Sequence, residues 1–127
     1  MVLWCHMRFA NKRDRTFLRE VGWPLGGTAF FLLVQTFLGW SEGALFLVAL
    51  VAVAISFAPG FHRGEIALFI TGLLYGIVIE VGLGLVHRQQ LWTDASLYGV
   101  PLWLPIVWGI GFIYIGRLAV FIRRMHE

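Results

Sequence analysis

One acidic side chain, Glu80, stands inside a long apolar stretch of the sequence, where an ionisable group is costly to bury. Counting inward at about 1.5 Å per helical residue places Glu80 roughly 9 Å from the nearer end of that stretch. The same count brings Gln35 and Trp108, in two other apolar stretches, to a comparable depth. We therefore predict a cluster of Glu80, Gln35 and Trp108 that binds a proton, a cation or the polar head of an amphipathic ligand.

Two other interpretations of Glu80 stay open. A carboxylic acid in an apolar site tends to stay neutral, so Glu80 could serve only as a hydrogen-bonding group between helices. In an oligomer, the same carboxyl group could line a path for protons or other ions. A single carboxylate is a weak indication of acid–base catalysis, and we predict no catalytic residue in this sequence.

Small residues recur around Glu80 and again in the last apolar stretch of the chain. The glycines concerned are Gly72, Gly76, Gly84, Gly109 and Gly116. The first three share a four-residue spacing with Glu80, which places them on one face of a helix. Such faces let a second helix approach closely. We expect them to pack against another membrane helix, including one that belongs to a larger complex.

Other kinds of site find little support in the sequence. No pair among the four histidines has the spacing of a metal or haem site, so we predict no metal, and His62 is expected to be an ordinary interfacial residue. Cys5 is the only cysteine, which excludes an internal disulfide. The net charge is +3, but the basic residues crowd the two ends of the chain. This layout is typical of a membrane protein and not of a nucleic-acid surface.

The elements that would position these residues are four apolar stretches. The chain of 127 residues is 59% hydrophobic and only 13% charged, whereas a soluble domain usually carries about 25% charged residues. About 20 helical residues cross a bilayer core, and such runs pair their backbone groups as helices. We therefore predict one all-α transmembrane domain over residues 1–127. It has a basic N-terminal arm at 1–20 and four spans at about 21–40, 44–58, 66–86 and 100–122.

The distribution of Lys and Arg orients these spans. If the N-terminus is cytoplasmic, that side holds nearly all the basic flanking residues and the other side holds Arg88 alone. Both termini are therefore predicted to be cytoplasmic, in a multi-pass protein of a cell membrane such as a bacterial or archaeal inner membrane. Arg117 lies near the cytoplasmic end of the last span, where we expect its long side chain to extend toward the interface.

Residues 87–118, HRQQLWTDASLYGVPLWLPIVWGIGFIYIGRL, contain a distinctive run of glycine, proline and tryptophan. The segment resembles a group of small uncharacterised bacterial and archaeal membrane proteins with a GVPLWLP motif. It is more distantly similar to the carotenoid hydratase, lycopene cyclase and Insig membrane families. The motif residues are Gly99, Pro101, Trp103 and Pro105, with Trp108 in the helix that follows. The resemblance implies binding of an isoprenoid or sterol-like lipid, but not cyclisation by protonation, because the paired acidic residues of the cyclases are replaced by apolar ones.

Abundant packing signals and the missing catalytic constellation favour a small non-enzymatic membrane subunit or accessory protein. It would pack against a larger complex through the glycine faces of spans 66–86 and 100–122. The first alternative is an isoprenoid- or lipid-binding, or isoprenoid-modifying, membrane protein that holds a lipid or isoprenoid. The second alternative is a proton- or ion-conducting oligomer that uses Glu80. The expected partners are the bilayer and other membrane subunits or further copies of the chain, and no nucleic acid.

Overall fold

The computed structural model of the chain describes residues 12–38, 41–87 and 95–127. Within these ranges the chain is all-helical and forms no strand. The helices are α1 (Lys12–Phe17), α2 (Trp23–Leu38), α3 (Glu42–Ser56), α4 (Glu65–His87) and α5 (Trp103–His126), and a π-helical turn (Leu18–Gly22) joins α1 to α2. Most of the predicted basic arm, the end of the first predicted span and residues 88–94 of the predicted outer loop lie outside the described residues.

Helices α2 to α5 follow the order of the four predicted spans, but they differ in length. In the described part of the chain, α4 and α5 are the two helices that are long and apolar enough to cross a membrane. Helix α3 is a shorter apolar helix. Its 15 residues extend about 22 Å, against a hydrocarbon core about 30 Å thick.

The last helix begins later than predicted because a tight turn precedes it. Leu97 and Val100 exchange two backbone hydrogen bonds, with N–O distances of 3.1 and 2.8 Å. Tyr98 and Gly99, between them, both have positive φ, at 50° and 84°. This is the backbone of a type I′ turn, and glycine is the residue that adopts it most readily. Gly99 of the predicted motif therefore has a conformational role.

Helices α2 to α5 alternate in direction, and α5 lies between the others. Helix α4 packs along α5, while α2 and α3 pack on each other and on α5. The buried core residues between α2, α3 and α5 are Phe31, Leu45, Val48, Ala49, Ala52, Trp103, Ile106 and Ile110. The rings of Phe31 and Trp103 lie 5.1 Å apart. Trp103 is thus a core residue that fixes the start of α5 against α2.

Four of the five predicted packing glycines lie where α4 contacts α5. A Cβ atom added at Gly72, Gly76, Gly109 or Gly116 would lie under 3.0 Å from a side chain of the opposing helix. The close approach therefore occurs within this chain, which corrects the expectation that these faces are free to receive another subunit. Gly84 differs, because nothing lies within 4 Å of a Cβ added there.

Candidate ligand site at the basic end

The start of α2, the end of α3, the start of α4 and the end of α5 meet at one end of the molecule, where ion pairs and hydrogen bonds connect them. We call it the basic end, because five arginines are found there: Arg19, Arg63, Arg117, Arg123 and Arg124. The last two stand in the final turn of α5, where the helix dipole favours positive charge. The other end, which carries the turn before α5, is called the opposite end.

A buried ion pair joins α4 to α5 at the basic end. Arg117 donates from Nε to one carboxylate oxygen of Glu65 and from Nη2 to the other, the latter at 2.8 Å. The two side chains are only 4% and 8% exposed. Glu65 is the first residue of α4, where the helix dipole also favours negative charge. Arg117 was predicted to extend toward the interface; its partners Glu65 and Gly60 lie at the basic end, and the side chain is buried against them.

His62 extends this ion pair toward the N-terminal part of the chain. Its backbone N–H donates to Glu65 at 2.9 Å, and its ring Nδ1 lies 3.2 Å from the same carboxylate. The other ring nitrogen, Nε2, lies 3.1 Å from a carboxylate oxygen of Glu20. The imidazole ring therefore lies between the carboxylates of Glu20 and Glu65. We name Glu20, His62, Glu65 and Arg117 the polar cluster.

The connection between α3 and α4 holds the polar cluster in place. Gly60 and Gly64 have φ of 111° and 89°, a conformation that glycine adopts without strain. Arg117 Nη2 donates to the carbonyl of Gly60 at 3.0 Å. The connection therefore doubles back so that His62 contacts Glu65 and the carbonyl of Gly60 accepts from Arg117. The sequence placed His62 in an ordinary polar loop and gave no sign of this convergence.

One donor of the cluster is left without an acceptor. Arg117 Nη1 is buried, and no atom in the described part of the chain accepts a hydrogen bond from it. The nearest aromatic support is Phe57, whose ring centroid lies 6.0 Å from Arg117 Cζ. A buried unpaired donor costs about 1–3 kcal/mol, and more when charged. Such an atom in a folded protein calls for an explanation, and a bound ligand is one.

A cavity of about 450 Å³ adjoins the polar cluster, a volume typical of small-molecule sites. The charged and polar residues that line it are those of the cluster together with Arg63 and Arg124. The large apolar residues that line it are Leu68, Val120 and Phe121. Cations and apolar side chains therefore share one cavity, which suits a ligand with a polar head and an apolar tail.

The predicted cluster around Glu80 is present only in part. Trp108 Nε1 donates to a carboxylate oxygen of Glu80 at 3.3 Å. Gln35 lies on α2, which packs against α3 and α5, and its side chain makes no hydrogen bond to any described residue. Glu80 thus has a single neutral donor and no cation among its described partners. Glu80 and Trp108 do not line the cavity at the basic end.

The other motif residues serve the start of α5. Pro101 and Pro105 are buried, and the carbonyl of Pro101 accepts the backbone N–H of Leu104 at 3.0 Å, in the first turn of the helix. Together with the turn at Gly99 and the core position of Trp103, they set where α5 begins. None of them lines the cavity.

Another glutamate, Glu42, anchors the turn before α5 at the opposite end. The two carboxylate oxygens of Glu42 accept the backbone N–H of Leu102 at 2.7 Å and the hydroxyl of Ser96 at 2.8 Å. These hydrogen bonds, above all the one from Leu102, hold the pKa of Glu42 below its ordinary value. The sequence showed only a short polar turn here, ahead of the predicted span 44–58.

Among residues 12–38, 41–87 and 95–127, no group of three or more His, Cys, Asp or Glu side chains could hold a metal ion. Protein-family models, curated protein sequences and solved structures all gave no match to this chain. The resemblance of residues 87–118 to small prokaryotic membrane proteins therefore stays a prediction, and the geometry of the site supports the proposals that follow.

Proposed function

We propose that this chain is a multi-pass membrane protein that binds an amphipathic lipid at its basic end, and that its role is binding and not catalysis. The observation that carries this proposal is the cavity beside the polar cluster, whose lining combines charged side chains with apolar ones. A lipid combines the same two properties, because its polar head is attached to an apolar chain.

The surface of α4 supports a location in the membrane. This helix is long and strongly apolar, yet only 11% of its most apolar stretch is buried inside the protein. A core helix of a soluble protein would be mostly buried. Large apolar side chains such as Leu74, Val78 and Val86 are exposed on α4, and a continuous apolar surface of this kind suits lipid better than water.

The alternation of the helices and the charge bias support four spans with both termini in the cytoplasm. The basic end would then lie at the cytoplasmic interface. Helix α3 is shorter than the bilayer core, a mismatch that local thinning of the bilayer accommodates at modest cost. In this arrangement the cavity lies at the depth where lipid head groups meet their chains. Val120 lines the cavity and is 40% exposed, so a chain from the bilayer can reach the cavity beside it.

Lipid analysis of the purified protein tests this function. The protein is extracted in a mild detergent, and retained lipids are quantified by mass spectrometry. Wild type is expected to retain a lipid in a fixed ratio, and Val120→Trp to lose most of it because the indole fills the cavity. Ile122→Trp is the matched control, since Ile122 is similarly exposed, at 43%, but does not line the cavity. Equal retention by all three proteins, or none in wild type, contradicts the proposal.

A second candidate, the accessory membrane subunit, is supported by a different part of α4. A Cβ atom added at Gly82 or Gly84 would meet nothing within 4 Å, so a helix from a partner can approach there. In this function a partner would contact α4 at Gly82 and Gly84, and not at the glycines through which α4 and α5 contact each other. A partner that co-purifies with wild type and is lost on Gly84→Leu, with lipid retention unchanged, would favour this function.

The ion-conducting oligomer stays a weaker candidate that depends on Glu80. Its carboxylate accepts one hydrogen bond, from Trp108, and no second ionisable group lies with it in the described residues. If Glu80 lines a conducting path, Glu80→Gln abolishes proton or cation flux in sealed vesicles. Flux that persists in this variant removes the candidate.

A further inference from the structure

We propose that the head of the bound lipid is a phosphomonoester, held in the cavity at the basic end by Arg63 and Arg124, with Arg117 as a third cationic group. This inference rests on the proposed lipid-binding function and specifies its ligand. The reasons are the charge balance of the cavity, the donors that remain unused in it and the shape of the guanidinium group.

Both carboxylates that line the cavity are already engaged. Glu65 accepts from Arg117 and from His62, and Glu20 lies 3.1 Å from the ring of His62. A cationic head would therefore compete with internal partners for each carboxylate. An anionic head displaces none of these contacts.

The arginines that line the cavity are paired less completely than these two carboxylates. Arg63 and Arg124 line it, and neither makes an ion pair or hydrogen bond with any described residue. Arg123, next in sequence, does not line the cavity and lies 3.9 Å from Glu127. Two guanidinium groups without a partner among the described residues thus border one cavity, and both are expected to attract the same anion.

Arg117 adds a third donor of the same kind. Its Nε and Nη2 are engaged, but Nη1 is buried without an acceptor in the described part of the chain. Guanidinium groups bind phosphate through paired N–H donors. A phosphomonoester carries three terminal oxygens and up to two negative charges, so it can contact several arginines at once. A fatty-acid carboxylate has two oxygens and one charge, and a zwitterionic head adds a cation that would lie beside the arginines.

The test measures binding of defined ligands to the purified, delipidated protein in a nonionic detergent. The probes are phosphatidic acid, phosphatidylcholine with the same chains, and inorganic phosphate, with binding followed by native mass spectrometry. Wild type is expected to bind phosphatidic acid at least about tenfold more tightly than phosphatidylcholine, since one hydrogen bond to a charged group corresponds to about that factor. Arg63→Gln and Arg124→Gln should each remove about tenfold of the affinity for phosphatidic acid.

Arg123→Gln is the control, because Arg123 has the same side chain in the same helical turn but does not line the cavity. Its affinity for phosphatidic acid should equal that of wild type. All three arginines are exposed, so the variants should fold, and equal melting temperatures verify this. Arg124→Lys keeps the positive charge but lacks the paired N–H donors of the guanidinium group. A partial loss of affinity for phosphatidic acid in this variant indicates that the paired donors matter.

The possible outcomes separate the inference from the function on which it rests. Equal binding of both lipids that is unaffected by Arg124→Gln overturns the phosphate head and leaves lipid binding intact. No lipid binding by wild type overturns the proposed function, and with it the inference. If inorganic phosphate alone binds, and does so through Arg63 and Arg124, the anion site is real but its source is free phosphate, which overturns the lipid.

Discussion

Two glutamates at opposite ends of the molecule show how burial changes the role of a carboxylate. Glu65, at the basic end, is 8% exposed and paired with Arg117. Glu42, at the opposite end, lies near the surface and accepts hydrogen bonds from a backbone N–H and a hydroxyl group. A buried carboxylate requires a counter-charge, whereas neutral donors and water suffice at the surface. The buried pair therefore connects helices and shapes a cavity, while the exposed carboxylate anchors a turn.

The largest effect is expected from breaking the buried pair. Arg117→Leu leaves Glu65 buried without its counter-charge, which typically lowers the free energy of unfolding by about 3–5 kcal/mol. The measurement is denaturant or thermal unfolding in mild detergent. Arg123→Leu removes an exposed arginine whose contact with Glu127 is long, and it should change stability by less than about 0.5 kcal/mol. A similarly small change for Arg117→Leu would show that the pair contributes little.

The next effect is the difference in stability between alanine substitutions in the two halves of α4, at Gly72 and at Gly84. Gly72→Ala places a Cβ atom 2.7 Å from the Phe112 side chain, so it should destabilise the protein by about 1–3 kcal/mol through overpacking. Gly84→Ala meets nothing within 4 Å and should be neutral or stabilising by about 0.5–1 kcal/mol, because alanine favours the helix. Melting temperatures of the two variants in the same detergent test this difference in sign. Equal destabilisation would place a contact at Gly84 as well.

A smaller effect concerns the anchored turn. Because the folded pKa of Glu42 is depressed, its contribution is present above the unfolded pKa of about 4.3 and is lost as the pH falls through the lower folded value. In acid, the Leu102 amide should therefore lose protection. Its hydrogen exchange should be faster than the intrinsic effect of pH alone predicts. Glu42→Ala removes both acceptors, so it should show fast exchange at neutral pH already, and about 1 kcal/mol lower stability. Unchanged protection in Glu42→Ala would contradict the anchoring role.

The smallest effect is expected at the pair that the sequence singled out. In Glu80→Gln the amide oxygen can still accept the Trp108 N–H, so stability should change by less than about 1 kcal/mol. The fluorescence of wild type and variant, read with Trp108→Phe as a reference, checks whether the indole keeps its environment. A loss of stability comparable to that of Arg117→Leu would mean that a charge on Glu80 contributes to the stability of the fold.

Pattern alone determined the helical class of this chain and the approximate position of its helices. In lipid, apolar runs of about 20 residues pair their own backbone groups as helices, and the runs around Glu80 and Trp108 are α4 and α5. The four-residue spacing of Gly72 and Gly76 likewise predicted a close helix contact, because side-chain direction along a helix is a local property. Depth along the helices was sufficient to pair Glu80 with Trp108.

Tertiary structure alone decided which side chains meet from distant parts of the chain. Glu20, His62, Glu65 and Arg117 span almost a hundred positions, and no periodicity relates them. The one usable sign was Arg117, since an arginine inside an apolar helix needs a counter-charge; the sequence offers several carboxylates for that place, and only the antiparallel packing of α4 on α5 selects Glu65. Helix formation is governed by neighbours in sequence, whereas the site depends on register and direction between helices, which the chain fixes only when it packs.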